Sequence, residues 1–99
     1  MEFEKKTFGD SEFWIKPIGR IDLDTTPELE KEVNEQIDNI KYLTIDFSEV
    51  NYISSMGLRA LLSFQKRIAA KGEMKIVNAK PEVLEIFKMV GFDKVLNII

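Results

Sequence analysis

Two hydrophobic periods alternate along this chain, and their order restricts the fold more than any single motif does. Residues 3–8 and 13–18 are short runs rich in aromatic and β-branched side chains, separated by Gly9-Asp10-Ser11-Glu12. An apolar pair around a glycine-containing polar turn is a hairpin signature. Pro17 falls in the second run and marks a strand edge or bulge, because proline cannot donate to a sheet ladder. Thr25-Thr26-Pro27-Glu28 then opens a helix: either threonine can cap it, and proline fits the first turn. From there Leu29, Val33, Ile37 and Ile40 recur at helical spacing, with acids and lysine filling the outer face.

The alternation continues to the end of the chain. Leu43, Ile45 and Phe47 predict a strand over residues 41–47, and the polar run that follows predicts a loop to Ile53. The next helix starts at Ser54 or Ser55 and runs to Lys71, with Gly72 as a left-handed stop. Leu58, Leu61, Leu62, Ile68 and Ala69 are expected on its core face. Residues 74–77 predict a short strand, and Pro81 opens a last helix carrying Val83, Leu84, Phe87 and Val90 and ended by Gly91. Residues 92–99 predict a final strand. The expected fold is α/β, a single domain over residues 1–99 with a mixed, mostly parallel sheet of about five strands and covering helices.

Composition then removes whole classes of function. The 99 residues are 44% hydrophobic and 31% charged, which suits one compact core. There is no cysteine, so no disulfide framework and no thiolate nucleophile or metal site is available. There is no histidine either, which removes the commonest general base and metal ligand together. A net charge of −3 argues against nucleic-acid binding, so the cluster Lys66, Arg67 and Lys71 reads as a solvated helix face. No apolar run reaches membrane-spanning length and no signal-peptide pattern opens the chain, so a cytoplasmic location without membrane insertion is expected.

The residues able to carry function gather between Asp46 and Arg59. Isolated Gly19 and Gly57 do not make a phosphate-binding loop, and the acids Asp22, Asp24, Asp46 and Glu49 fall where turns alone favour Asp and Glu. Neither a cofactor nor a metal is therefore expected. Ser54 and Ser55 stand together at a helix start, where one serine can satisfy an orphan N–H as a cap. The second lies in the first turn, where it can bind an anion or accept a phosphate facing the positive end of the helix.

Taken together, Gly19-Arg20-Ile21-Asp22, the strand ending in Asp46, and Tyr52-Ile53-Ser54-Ser55-Met56-Gly57-Leu58 resemble the STAS domain family, particularly bacterial anti-sigma-factor antagonists. Gly72 before a strand, Pro81 opening a helix and Gly91 ending it extend the resemblance over nearly the whole chain. It implies a binding module, not an enzyme. In that family the unmodified antagonist binds an anti-sigma factor that is also an ATP-dependent serine kinase, phosphorylation of one serine ends the binding, and a phosphatase restores it. Aligned on Gly57 and Leu58, the phosphorylated serine falls on Ser55, with Ser54 the second candidate; the family's usual aspartate before that serine is replaced by Ser54. The loop acid falls on Asp22. Other systems using STAS modules, such as transporter-associated regulators, stress-signalling scaffolds and small-ligand sensors, are the alternative.

Asp22, Ser54, Met56, Gly57, Ala60 and Phe64 are the expected partner-binding residues. Met56, Ala60 and Phe64 recur at four-residue steps and form either an exposed apolar docking row or, for Phe64, packing beneath a strand.

Overall fold

The computed structural model describes residues 1–99. Strands β1 (Glu2–Phe8) and β2 (Glu12–Ile21) form the expected hairpin, antiparallel from Glu2 opposite Ile18 to Phe8 opposite Glu12. Helix α1 (Thr26–Ile37), strand β3 (Tyr42–Asp46), strand β4 (Val50–Ile53) and helix α2 (Ser55–Ala69) follow. Strand β5 (Glu73–Val77), helix α3 (Pro81–Met89), a single 3-10 turn (Phe92–Lys94) and the two-residue strand β6 (Asn97–Ile98) complete the chain. The sheet has six strands, ordered β1-β2-β3-β5-β6, with β4 attached to β2 alone. Every pairing except β1 with β2 is parallel.

Strand β2 is ten residues long because it serves two partners in succession. Its first half, Glu12 to Ile15, pairs with β3, and its end, Gly19 to Ile21, pairs with β4 across a register shift at Gly19 and Arg20. Gly19 takes φ +110°, a conformation side-chain-bearing residues rarely adopt, and its N–H donates to the Glu49 carbonyl at 2.9 Å. Pro17 lies in the interval between the two registers, where a strand residue without an N–H is tolerated. The segment from 50 to 53, expected as loop, is thus a strand. Its burial does not alternate: Val50 and Ile53 are buried while Asn51 and Tyr52 between them are exposed, so a period of two does not announce it.

Phe13, Ile15, Leu43, Ile45, Met74 and Ile76 form the inner face of the sheet, covered by Leu29, Val33 and Ile37 of α1 and Leu61, Phe64 and Ile68 of α2. Phe87 of α3 meets Phe47 with ring centroids 5.8 Å apart. Leu62 is only half-buried and Ala69 is exposed, against expectation, because the inward stripe of α2 runs through Gly57, Ala60, Leu61, Phe64 and Ile68. Each of the two sits about 100° round the helix from its buried predecessor. Of the expected closing strand over residues 92–99 only Asn97–Ile98 is strand; Phe92–Lys94 form the 3-10 turn, Leu96 between them is the buried anchor, and Val95 and Ile99 are exposed.

Two glycines are required by close approach. Gly72 is not left-handed, as expected for a helix stop; a Cβ there would overlap the Lys41 backbone, whose carbonyl accepts the Glu73 N–H at 2.8 Å. At Gly57 a Cβ would meet Ile21 Cγ2 at 2.7 Å and Ile53 Cγ1 at 2.8 Å. Gly57→Ala is expected to cost about 1–3 kcal/mol through overpacking of side chains that can shift, and Gly72→Ala more, because backbone obstructs it. Urea unfolding of the two variants measures both, and Phe64→Ala, which empties a fully packed site, is expected to lose about 3–5 kcal/mol in the same assay.

Candidate functional site

The end of the sheet where β2 and β4 stop is also where α1 and α2 begin. The Ser54 N–H donates to the Ile21 carbonyl at 2.8 Å, so the start of α2 is tied to the end of β2. Ser54 is extended (φ −86°, ψ 171°), its hydroxyl accepts from the Gly57 N–H at 3.2 Å, and its carbonyl accepts from the Leu58 N–H at 2.9 Å. It is the cap. Ser55 follows in the first turn with its side chain exposed. No acid lies in that first turn, so the partial positive charge of the helix end meets no carboxylate of its own helix.

Beside it, residues 20–26 make a turn held by its own side chains. One Asp22 carboxylate oxygen accepts from the Asp24 N–H at 3.0 Å and the Thr25 N–H at 3.1 Å. The Thr25 hydroxyl accepts from the Asp22 N–H at 2.8 Å and donates to the Arg20 carbonyl at 2.6 Å. Thr25 therefore braces the turn in place of capping α1, while the buried Thr26 donates its hydroxyl proton to the Asp22 carbonyl at 2.6 Å. The Thr25 N–H, aided by the Thr25 hydroxyl, the Asp24 N–H and nearby Arg20, holds the Asp22 carboxyl below its ordinary value, against a smaller opposing effect of desolvation. The Arg20 guanidinium stacks over the Tyr52 ring at 4.3 Å and approaches the second Asp22 oxygen at 3.8 Å.

Asp22, Ser54, Met56 and Gly57 therefore share this end of the molecule, Met56 half-buried and Gly57 packed beneath the surface. Ala60 and Phe64 do not form an exposed row: they are 3% and 1% exposed and belong to the core. The four-residue step that marks them is simply the inward stripe of α2. The apolar surface here is instead Leu23, 69% exposed, and Tyr52, 37% exposed. Sequence reasoning passed over both, although Leu23 stands alone between two aspartates and Tyr52 precedes an inward Ile53 on a strand. Asp46 is engaged in the turn that follows β3: its carboxylate accepts from the Ser48 N–H at 2.9 Å and from the Asn78 amide at 3.3 Å. No three acids gather closely enough to hold a metal ion, and no helix is long and apolar enough to cross a membrane.

A family profile described as STAS domain matches residues 4–99. A Bordetella bronchiseptica protein named as an anti-sigma factor antagonist, BtrV, is 36% identical over 67 residues, 66% of this chain and 58% of that protein. Among solved structures, the anti-sigma factor antagonist SpoIIAA in its unphosphorylated form has a TM-score of 0.84 at 16% identity, covering 99% of this chain and 88% of that one. The Bacillus cell fate determinant SpoIIAA in its phosphorylated form has a TM-score of 0.76 at 15% identity, covering 99% and 91%. At these identities the solved structures speak for the fold, and the profile, spanning nearly every residue of the β-hairpin, sheet and helices described above, speaks for the lineage: the chain belongs to the STAS domain family.

Proposed function

We propose that this protein is an anti-sigma factor antagonist of the cytoplasm, which binds an anti-sigma factor with serine kinase activity and is released from it by phosphorylation of Ser55. The observation that carries the reading is the division of labour between the two serines. Ser54 is half-buried, with its hydroxyl accepting the Gly57 N–H; Ser55 is exposed one residue later. A kinase transferring the terminal phosphoryl group of ATP to an Oγ, with loss of the hydroxyl proton and release of ADP, reaches Ser55 without dismantling the cap. STAS membership and the similarity to BtrV and the SpoIIAA structures support the same role.

The docking surface in this reading comprises Leu23, Tyr52 and Met56 around Ser55, framed by the Asp22 turn. A phosphate adds a charge of about −1.5 to −2 at the middle of that patch. Burying it against a partner costs a few kcal/mol, and each 1.4 kcal/mol is about tenfold in affinity. Binding is therefore lost without any rearrangement of the fold, and a phosphatase that removes the group restores it. The chain itself supplies no chemistry; its role is recognition.

With the cognate kinase and ATP, mass spectrometry is expected to find one phosphate on the wild type and on Ser54→Ala, and none on Ser55→Ala. Phosphate retained by Ser55→Ala would refute the assignment. Ser54→Ala is expected to lose about 1 kcal/mol of stability as a lost cap. Leu23→Ala is expected to leave thermal stability within about 0.5 kcal/mol, as an exposed position, while weakening binding to the unphosphorylated protein at least tenfold by calorimetry. Unchanged binding would remove Leu23 from the interface.

A further inference from the structure

The chain has three arginines, and two of them are engaged. Arg20 lies over Tyr52 and beside Asp22; Arg67 donates to Asn34 at 2.7 Å and to Asp38 at 2.8 Å. Arg59 is exposed on α2 and makes no ion pair, hydrogen bond or ring contact. Its neighbours three and four residues away along the helix are Ser55, Met56, Leu62 and Ser63, none of which carries a charge. Helical geometry places positions i and i+4 on one face, one turn apart, and an anion preceding a cation at that spacing is the favourable order. Ser55 and Arg59 hold that spacing, both exposed.

We propose that Arg59 is a clamp in cis for the phosphorylated form: the guanidinium folds back one turn and pairs with the phosphate on Ser55. The inference rests on the phosphorylation proposed above and adds to it the group that receives the charge. In the unmodified protein Arg59 has nothing to hold and is free to meet an acidic group of a partner. Once the phosphate is present, two of its oxygens offer acceptors spaced to receive the planar fork of the guanidinium. One modification then changes two features of the surface, adding an anion at position 55 and withdrawing a cation at position 59. Ser54, where the family commonly has aspartate, leaves no carboxylate on the residue just before the phosphate to compete for that arginine.

The test uses phosphoserine installed at position 55 by genetic code expansion, so that no kinase is required, and follows the second ionisation of the phosphate by phosphorus NMR. A neighbouring cation favours the dianion, so Arg59→Ala is expected to raise that pKa by about 0.2–0.4 units relative to the unsubstituted phosphoprotein. Lys66→Ala removes the same charge about 16 Å from Ser55 along the helix axis, beyond the screening length of about 8 Å, and is expected to leave it unchanged. If the two substitutions shift the phosphate equally, or neither shifts it, the clamp is refuted. The kinase experiment stands apart: a phosphate found on a residue other than Ser55 overturns the functional reading while leaving the measured Arg59 effect intact.

Discussion

The hydrogen bond from the Ser54 N–H to the Ile21 carbonyl is the contact on which this end of the molecule depends. It joins the last residue of β2 to the cap of α2, and the approach it enforces leaves no room for a Cβ at Gly57, three residues on. The helix thus starts packed on Ile21 and Ile53 through Gly57, and the residue after the cap is left on the outside. The exposure of Ser55 is thus a result of packing beneath it. The Asp22 turn is built by the same logic from the other side, since the Asp22 carboxylate and the Thr25 hydroxyl spend themselves on backbone groups within seven residues. Two local networks, one for each helix start, meet at the end of a single strand.

Most of the architecture was legible in the alternation of periods, because each helix buries a long stripe and each main strand shows clean alternation. What escaped was decided by pairing over distance. Val50–Ile53 is a strand only because β2 continues past its first partner and offers it a second edge, and four residues cannot announce that in a sequence. Gly72 looked like a helix stop by position, whereas its requirement comes from Lys41, thirty-one residues earlier in the chain. The serine pair and Asp22 were visible as candidates from helix-start chemistry and family resemblance. Leu23 and Tyr52 were not, because whether an isolated apolar residue faces water depends on the turn and strand that carry it.

Ala60 and Phe64 show how one spacing supports two opposite readings. A step of four residues marks a shared helical face and says nothing about which face. The answer came from α1 and the sheet, which together enclose α2 on the side carrying Gly57, Leu61, Phe64 and Ile68. Once those positions are committed to the core, the exposed helix surface near the site reduces to Ser55 and Arg59, with Met56 half-covered. A smaller surface is a more selective one, since a single added charge then occupies a larger share of it.

Strand β4 attaches to the sheet through β2 alone. The five-stranded body can therefore keep its register while the outward residues of this spur, Asn51 and Tyr52, and the exposed tip of the turn opposite it change, because Val50 and Ile53 are the positions of β4 committed to the core. Such an arrangement separates what must be inherited intact from what can diversify: one scaffold can carry different outward faces at this end without being rebuilt.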